Sequence, residues 1–264
     1  VGSLDTTRTN ETGYGGHVNL LVIDFDFFFP VPHNDVGEYL RFYDWGHSEA
    51  WSTALLSIMW QERAAAFLNA DRKLPDVLVP DDFWDRFTFS DDAELTYANS
   101  NMHAVQGPDT GLWYPSDIEQ VWLFDAHHDS GYGNSKAETV TCEDWLAYFT
   151  VNGAETHVRY PTWHTDAFDV EPNPDIAPTS RQHDDGAALD VEFDHTFVCR
   201  SDSWVPPWCD GDFGTFIARH PASVATCLDE TAHEPRWWDD TLVAQFAAER
   251  KAAFEMLREH AAKN

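Results

Sequence analysis

The chain has 264 residues, and its 16 Lys and Arg stand against 46 Asp and Glu, a formal net charge of -30 at neutral pH. Phosphate contacts need a basic surface, so this charge argues against nucleic-acid binding. It suits attraction of a cationic substrate, with salt tolerance or lineage composition as the plainer account. The length and a hydrophobic fraction of 43% fit one α/β domain with a sizeable core rather than a disordered chain.

Residues 1–16 are polar and rich in Thr and Gly, and read as a loose tail; 17–264 read as a single domain without internal repeats. No apolar run reaches membrane-spanning length and no signal peptide is evident, so a cytoplasmic protein is expected. Cys142, Cys199, Cys209 and Cys227 are widely spaced with no CxxC pair, and are expected to be reduced thiols in the core or near a site.

The first strand is expected at Leu20, Leu21, Val22 and Ile23, closing on Asp24. An aromatic loop with two prolines and His33 follows to Trp45 and forms a candidate pocket wall. From Ser48, a plausible N-cap, WSTALLSIMWQERAAAFL has helical periodicity, with Trp51, Leu55, Met59 and Ala66 near one core stripe. Residues 71–80 read as a connection, 81–101 as mixed, and His103 as part of a loop. Val121, Trp122, Leu123 and Phe124 form a second apolar strand. TCEDWLAYF reads as a helix start with Thr141 as N-cap and Asp144 at N3. HVRYPTW reads as a strand and its exit, followed by His164 and Asp166. Residues 172–186 read as a long surface loop, 195–200 as a short strand, and 201–212 as an aromatic rim. The segment 238–262 reads as an amphipathic helix whose apolar face carries Leu242, Phe246, Phe254 and Leu257, with Glu249, Arg250 and Lys251 outward.

Chemistry concentrates where the two apolar strands end. VWLFDAHHDSGY places Asp125, His127 and Asp129 at alternate positions, which share one face if the backbone stays extended. NLLVIDFDFFFP does the same for Asp24 and Asp26, with Phe25 turned into packing. Ionised carboxylates in so apolar a setting are costly unless paired or bound to a metal. The plainer readings are an acidic loop for the first group and turn or capping aspartates for the second.

With His103, these residues make four carboxylates and two imidazoles, and the pattern resembles the arginase and agmatinase (ureohydrolase) superfamily. DAHHD matches the DAHxD motif of that superfamily, and His103 precedes Asp125 by 22 positions. The DxD precedes DAHxD here, whereas arginases carry it afterwards. That order resembles a bacterial branch that includes the peptide arginases, which convert arginine to ornithine within peptides. TCEDWLAYFTVNGAETHVRYPTW and CRSDSWVPPW also look like that branch, so the likeness spans roughly 20–208.

The resemblance implies a three-layer α/β sandwich with a mainly parallel sheet. It implies two Mn²⁺ ions, with Fe²⁺, Co²⁺ or Zn²⁺ as alternatives. One ion would take His103, Asp125, Asp129 and Asp24, and the other Asp125, His127, Asp24 and Asp26; Asp125 and Asp24 would bridge. A water shared by two cations is hydroxide at neutral pH and would attack a guanidinium carbon, releasing urea. His128 is the candidate acid for the leaving amine, although an extended backbone turns it away; His157, His164 and His47 are alternatives. Glu143 or Asp144 is expected to hold the guanidinium, or else is simply a favourable acid in a helix's first turn. Arginases grip the free amino acid through an Asn and a Ser after DAHxD. Here Ser130 stands where the Asn is expected and Asn134 follows at a distance, which favours an arginine-containing peptide or a small guanidino compound; the rival reading is that Ser130 and Asn134 bind the substrate in that way. The alternatives are a mononuclear zinc deacetylase, which HHDSGYG also resembles, and a binding protein with a vestigial site. The oligomeric state stays open.

Overall fold

The computed structural model describes residues 18–30, 53–69, 72–107, 111, 113, 115–132, 140–165 and 171–263. The expected tail and most of the loop after Pro30 lie outside these residues, as do His33, Trp45, His47, Ser48, Trp51, Asn134 and Asp166. Seven strands are described: β1 (Val18–Asp24), β2 (Thr88–Ala98), β3 (Ile118–Phe124), β4 (Glu155–Tyr160), β5 (Ser180–His183), β6 (Glu192–Cys199) and β7 (Ala225–Cys227). They form one sheet in the order β5-β4-β3-β1-β6-β2-β7, and every pairing is parallel. The helices are α1 (Thr53–Asn69), α2 (Trp145–Val151), α3 (Asp210–Ala218), α4 (Glu230–His233) and α5 (Asp240–Lys263).

β1 lies at the centre, between β3 and β6, and its alternating side chains divide between two cores. Leu20 and Val22 join Val121, Leu123, Phe197 and the α2 residues Trp145, Leu146 and Phe149. Leu21 and Ile23 join Trp60 of α1, Phe83, Phe193, and Phe213 and Phe216 of α3. Both faces are therefore covered, which is why β1 and β3 read as unbroken apolar runs. The chain reverses direction across the sheet beside β1. The loops leaving β1, β3, β2 and β6 consequently meet at the carboxyl ends of the strands, where open α/β sheets bind ligands.

Several expectations shift. TFSDDAELTYA is a strand, β2, despite its acidic centre; its pairing with β6 breaks between Phe89 and Glu94, so that centre leaves the ladder. SRQH, expected within a loop, forms the edge strand β5. The buried stripe of α1 runs through Leu56, Trp60 and Ala64, whereas Leu55 is exposed. α2 begins one turn later than Thr141, with Asp144 as its N-cap. α5 packs on α1 through Val243, Phe246 and Ala247, and Arg250 pairs with Glu62. Phe254 and Leu257, expected on the packed face, are exposed.

Two buried histidines brace the sheet on the β2 side. His195 Nε2 lies 2.8 Å from Thr96 Oγ1, and His220 Nε2 lies 3.1 Å from Thr196 Oγ1. Burial, with the charge of His220 beside it, pushes His195 down to about 3, and burial pushes His220 down to about 4. Both folded values lie below that of a free histidine, about 6.5. Their contribution to stability is therefore complete above that value and is lost as pH falls toward about 4 and about 3. Between pH 6.5 and 4.5 each site should cost about 2 kcal/mol. Relief of the -30 charge acts in the opposite direction, so the difference between two proteins isolates the effect. Chemical denaturation at both pH values should show His195→Gln losing about 2 kcal/mol less than the parent chain.

Candidate metal centre

Asp24 closes β1 and caps the short 3-10 turn Phe25–Phe28, its Oδ1 accepting from Asp26 N at 2.9 Å. The turn, not an extended strand, carries Asp26 back toward Asp24. Phe25 and Phe28 anchor it, with ring centroids 5.3 Å from Phe213 and 4.9 Å from Phe83. Likewise β3 ends at Phe124, and a bend replaces the extended geometry expected for residues 125–129. His127 N donates to Asp125 Oδ1 at 2.8 Å, and Ala126 N to Asp26 Oδ1 at 3.2 Å. Asp129 has φ 46°, a left-handed conformation that an L-residue adopts only when its surroundings enforce it. Here Leu146 N donates to its carbonyl at 3.0 Å and Trp145 Nε1 to its Oδ2 at 2.7 Å.

Ligand atoms of Asp26, Asp125 and His127 all lie within 4.8 Å of one another. His127 Nδ1 is 3.1 Å from Asp26 Oδ2 and 3.4 Å from Asp125 Oδ1. Beside this group, Asn101 Nδ2 lies 2.6 Å from Asp24 Oδ2, 2.9 Å from Asp129 Oδ2 and 3.2 Å from Asp125 Oδ2. Asn101 opens the 3-10 turn Asn101–Val105 after β2, which Ser100 caps. Asp24, Asp26, Asp125, Asp129 and Asn101 are all buried.

Burial, reinforced by the charges of Asp26, Asp129 and Asp24, holds Asp125 well above the usual carboxylate range, although His127 pulls it down. Burial also raises Asp129 to about 7, against the lowering effects of His127 and Trp145. Burial opposes charge on His127, but contacts to Asp125 and Asp26 outweigh it and hold the imidazole well above its usual value. Asp26 Oδ2 is buried; its contact with His127 Nδ1 at 3.1 Å is an ion pair, and among the described residues no well-directed hydrogen bond reaches it. Crowded buried carboxylates and an imidazole form a donor set suited to a divalent cation.

The remaining predicted residues fall elsewhere. His103 is partly buried, with its Nε2 4.0 Å from Asp229 Oδ2, and is not in the Asp26, Asp125 and His127 group. His128 is fully buried; its Nδ1 accepts from Ser130 N at 3.0 Å and its ring lies 4.4 Å from Tyr132. Ser130 Oγ donates to His128 O at 3.1 Å. Asp144 Oδ1 accepts from Thr141 N at 2.7 Å and Thr141 Oγ1 at 2.9 Å, whereas Glu143 is exposed and its carbonyl accepts from Gly131 N. His157 stacks on Trp122 at 4.2 Å, along the strand and not beyond its end. His164 stacks on Tyr160 at 3.9 Å, and its Nδ1 is 2.9 Å from Ala126 O, between two candidate ligands in sequence.

Two residues that touch the cluster, Asn101 and Trp145, carry no strong sequence signal. The Asn/Ser cluster NSN marks a turn at Asn101, but the histidine two positions on is the more obvious metal ligand. The aromatic rim does reach the site: the Trp204 ring lies 4.8 Å from His127.

That rim is fixed from behind by a buried ionic network. Arg200 Nε and Nη2 donate to Asp202 at 2.5 and 2.9 Å. Arg236 donates to Asp210 through Nη2 at 2.5 Å, and through Nη1 to the carbonyls of Asp202 and Val205, both at 2.8 Å. Arg236→Met should destabilise the protein by about 3–5 kcal/mol, because it strands a buried Asp210 charge. Adding Asp210→Asn should recover part of that loss in chemical denaturation.

Comparison with known proteins returns no match: no family model fits the chain, and no curated protein or solved structure is similar to it.

Proposed function

We propose that this protein is a dinuclear, manganese-dependent amidinohydrolase of arginase-like fold that converts arginine, carried in a peptide, to ornithine with release of urea. The observation that carries the reading is the Asp26, Asp125 and His127 group, with Asp24, Asp125 and Asp129 gathered beside it around Asn101. Asp26, Asp125 and His127, with Asp24, would hold one ion. Asp24, Asp125 and Asp129 would hold the second. Carboxylate-rich donors with an imidazole favour Mn²⁺, with Fe²⁺, Co²⁺ or Zn²⁺ as substitutes. Once bound, such a pair makes water acidic enough to attack as hydroxide at neutral pH.

The chain's own groups do the rest. Backbone N–H groups of Asp26, Ala126 and His127 hold the carboxylates in place, so little reorganisation remains for the reaction itself. Trp204 covers the imidazole of His127 and limits water. Glu143 is the carboxylate available to meet a guanidinium, because Thr141 engages Asp144. His128 turns its Nδ1 to the Ser130 backbone, so proton delivery to the leaving amine passes in this reading to His164.

A second reading is a mononuclear zinc deacetylase. The Asn101 amide, which fills the neighbouring carboxylate set, favours it. Metal analysis separates the two, on protein made with supplemental Mn²⁺ and purified without chelator. The proposal expects about two manganese ions per chain and urea from arginine peptides. Asp26→Ala should lose metal and at least a hundredfold in urea release, beyond what outer-shell changes cost. One tightly held zinc with acetate release would establish the second reading, and folded protein without metal would overturn both.

A further inference from the structure

Asn101 occupies an unusual position for a neutral side chain. Three carboxylate oxygens, from Asp24, Asp129 and Asp125, lie 2.6, 2.9 and 3.2 Å from its Nδ2. A carboxamide nitrogen has two hydrogens and cannot serve three acceptors equally. Asn101 is 2% exposed, and among the described residues its Oδ1 has no hydrogen-bond partner. A buried carbonyl oxygen left unpaired is costly, and one directed at nothing beside an anionic cluster calls for a reason.

A half-turn about Cβ–Cγ exchanges the two ends of the carboxamide with almost no change in shape. Turned this way, Oδ1 would face three carboxylate oxygens, which is repulsive unless a cation lies among them. With a cation present the preference reverses: Oδ1 becomes a hard oxygen donor of the kind divalent manganese takes. The second donor set, Asp24, Asp125 and Asp129, consists of carboxylates alone and lacks a neutral ligand. His103, the residue the sequence offered for that place, has its Nε2 4.0 Å from Asp229 Oδ2 and lies outside the Asp26, Asp125 and His127 group.

We propose that Asn101 is the neutral ligand of the second metal ion, turning its Oδ1 toward Asp24, Asp125 and Asp129 when that ion is bound. This rests on the dinuclear reading above and adds to it the residue that completes the second site. Asn101 adds a neutral oxygen to the second site without a permanent positive charge that would exclude the ion. A lysine there would neutralise the cluster and compete with the metal.

The test counts metal by elemental analysis and Mn²⁺ titration calorimetry, and reads pairing from the electron paramagnetic resonance of the Mn²⁺-loaded protein. The parent chain should bind two ions and give the spectrum of a coupled pair. Asn101→Ala should bind one and give the spectrum of an isolated Mn²⁺. His103→Ala should keep two. Asn101→Asp guards against simple misfolding: without metal it should melt below the parent chain, and Mn²⁺ should raise its melting temperature more than the parent's. If Asn101→Ala keeps two ions at unchanged affinity, or His103→Ala loses one, the inference fails and the dinuclear reading stands. A parent chain holding one ion, with Asn101→Ala gaining a second, would make the amide a plug and overturn the inference and the dinuclear reading together. A parent chain that binds no metal would overturn both as well. Asp26→Ala serves as the control, since it should remove the first ion whatever Asn101 does.

Discussion

The structure depends on keeping Asp24, Asp26, Asp125 and Asp129 together out of water. Their exposures are 3, 4, 0 and 6%. Four ionised carboxylates in such a space would repel one another and forfeit their hydration, at several kcal/mol per ion even after relaxation. The chain offsets this with donors rather than with fixed cations. Backbone N–H groups of Asp26, Ala126 and His127, the Trp145 indole, the Asn101 amide and the His127 ring all face the carboxylates. Among the described residues, no Lys or Arg is a donor to these carboxylates. Dipoles and one imidazole leave the carboxylates in excess, a balance suited to a divalent ion.

The sheet exists in a form that can meet this constraint. Strand ends leave backbone N–H groups unpaired, and adjacent parallel ends bring two such sets side by side. β1 and β3 are neighbours in register through Ile23 and Phe124, so Asp24 and Asp125 emerge next to each other. The N–H groups just beyond them are then free to turn back onto the carboxylates. The aromatic packing around Phe25, Phe28, Phe83 and Phe213 gives this geometry its stiffness. Loss of any of those rings would reach the site through the 3-10 turn, without touching a ligand.

Much of this was legible in the chain. The two apolar runs and their acid-rich ends identified β1, β3 and the cluster, because burial on both faces leaves a continuous hydrophobic signature. The backbone path was not legible: alternation predicted convergence through extended strands, whereas a 3-10 turn and a left-handed Asp129 achieve it. Side-chain spacing constrains which residues meet but not how the chain bends to bring them there. β2 was missed because its acidic middle leaves the ladder, and β5 because an edge strand in a polar sequence carries little apolar signal. His103 and Asn101 illustrate a further limit. Two residues apart on a 3-10 turn, they face in different directions, and the choice between them depends on the turn's rotation, which no local pattern encodes.

The acidic exterior and the buried cluster act at different ranges. A net charge of -30 attracts cations of every kind over distances up to a screening length of roughly 8 Å in physiological salt. That attraction raises encounter rates but cannot distinguish one cation from another. Discrimination requires desolvation, and only the cluster demands it. Under the proposed reading, a hydrated divalent ion would exchange its waters for carboxylate and imidazole atoms held at fixed positions, an arrangement that does not match a planar guanidinium. Glu143, exposed at the edge of the loop that Gly131 ties down, would under the same reading offer a guanidinium an ion pair formed without shedding solvent. Burial thus sorts the acidic residues by the cation each can hold. Those sealed beneath Trp204 and Trp145 suit a metal, and those left at the rim suit an organic cation.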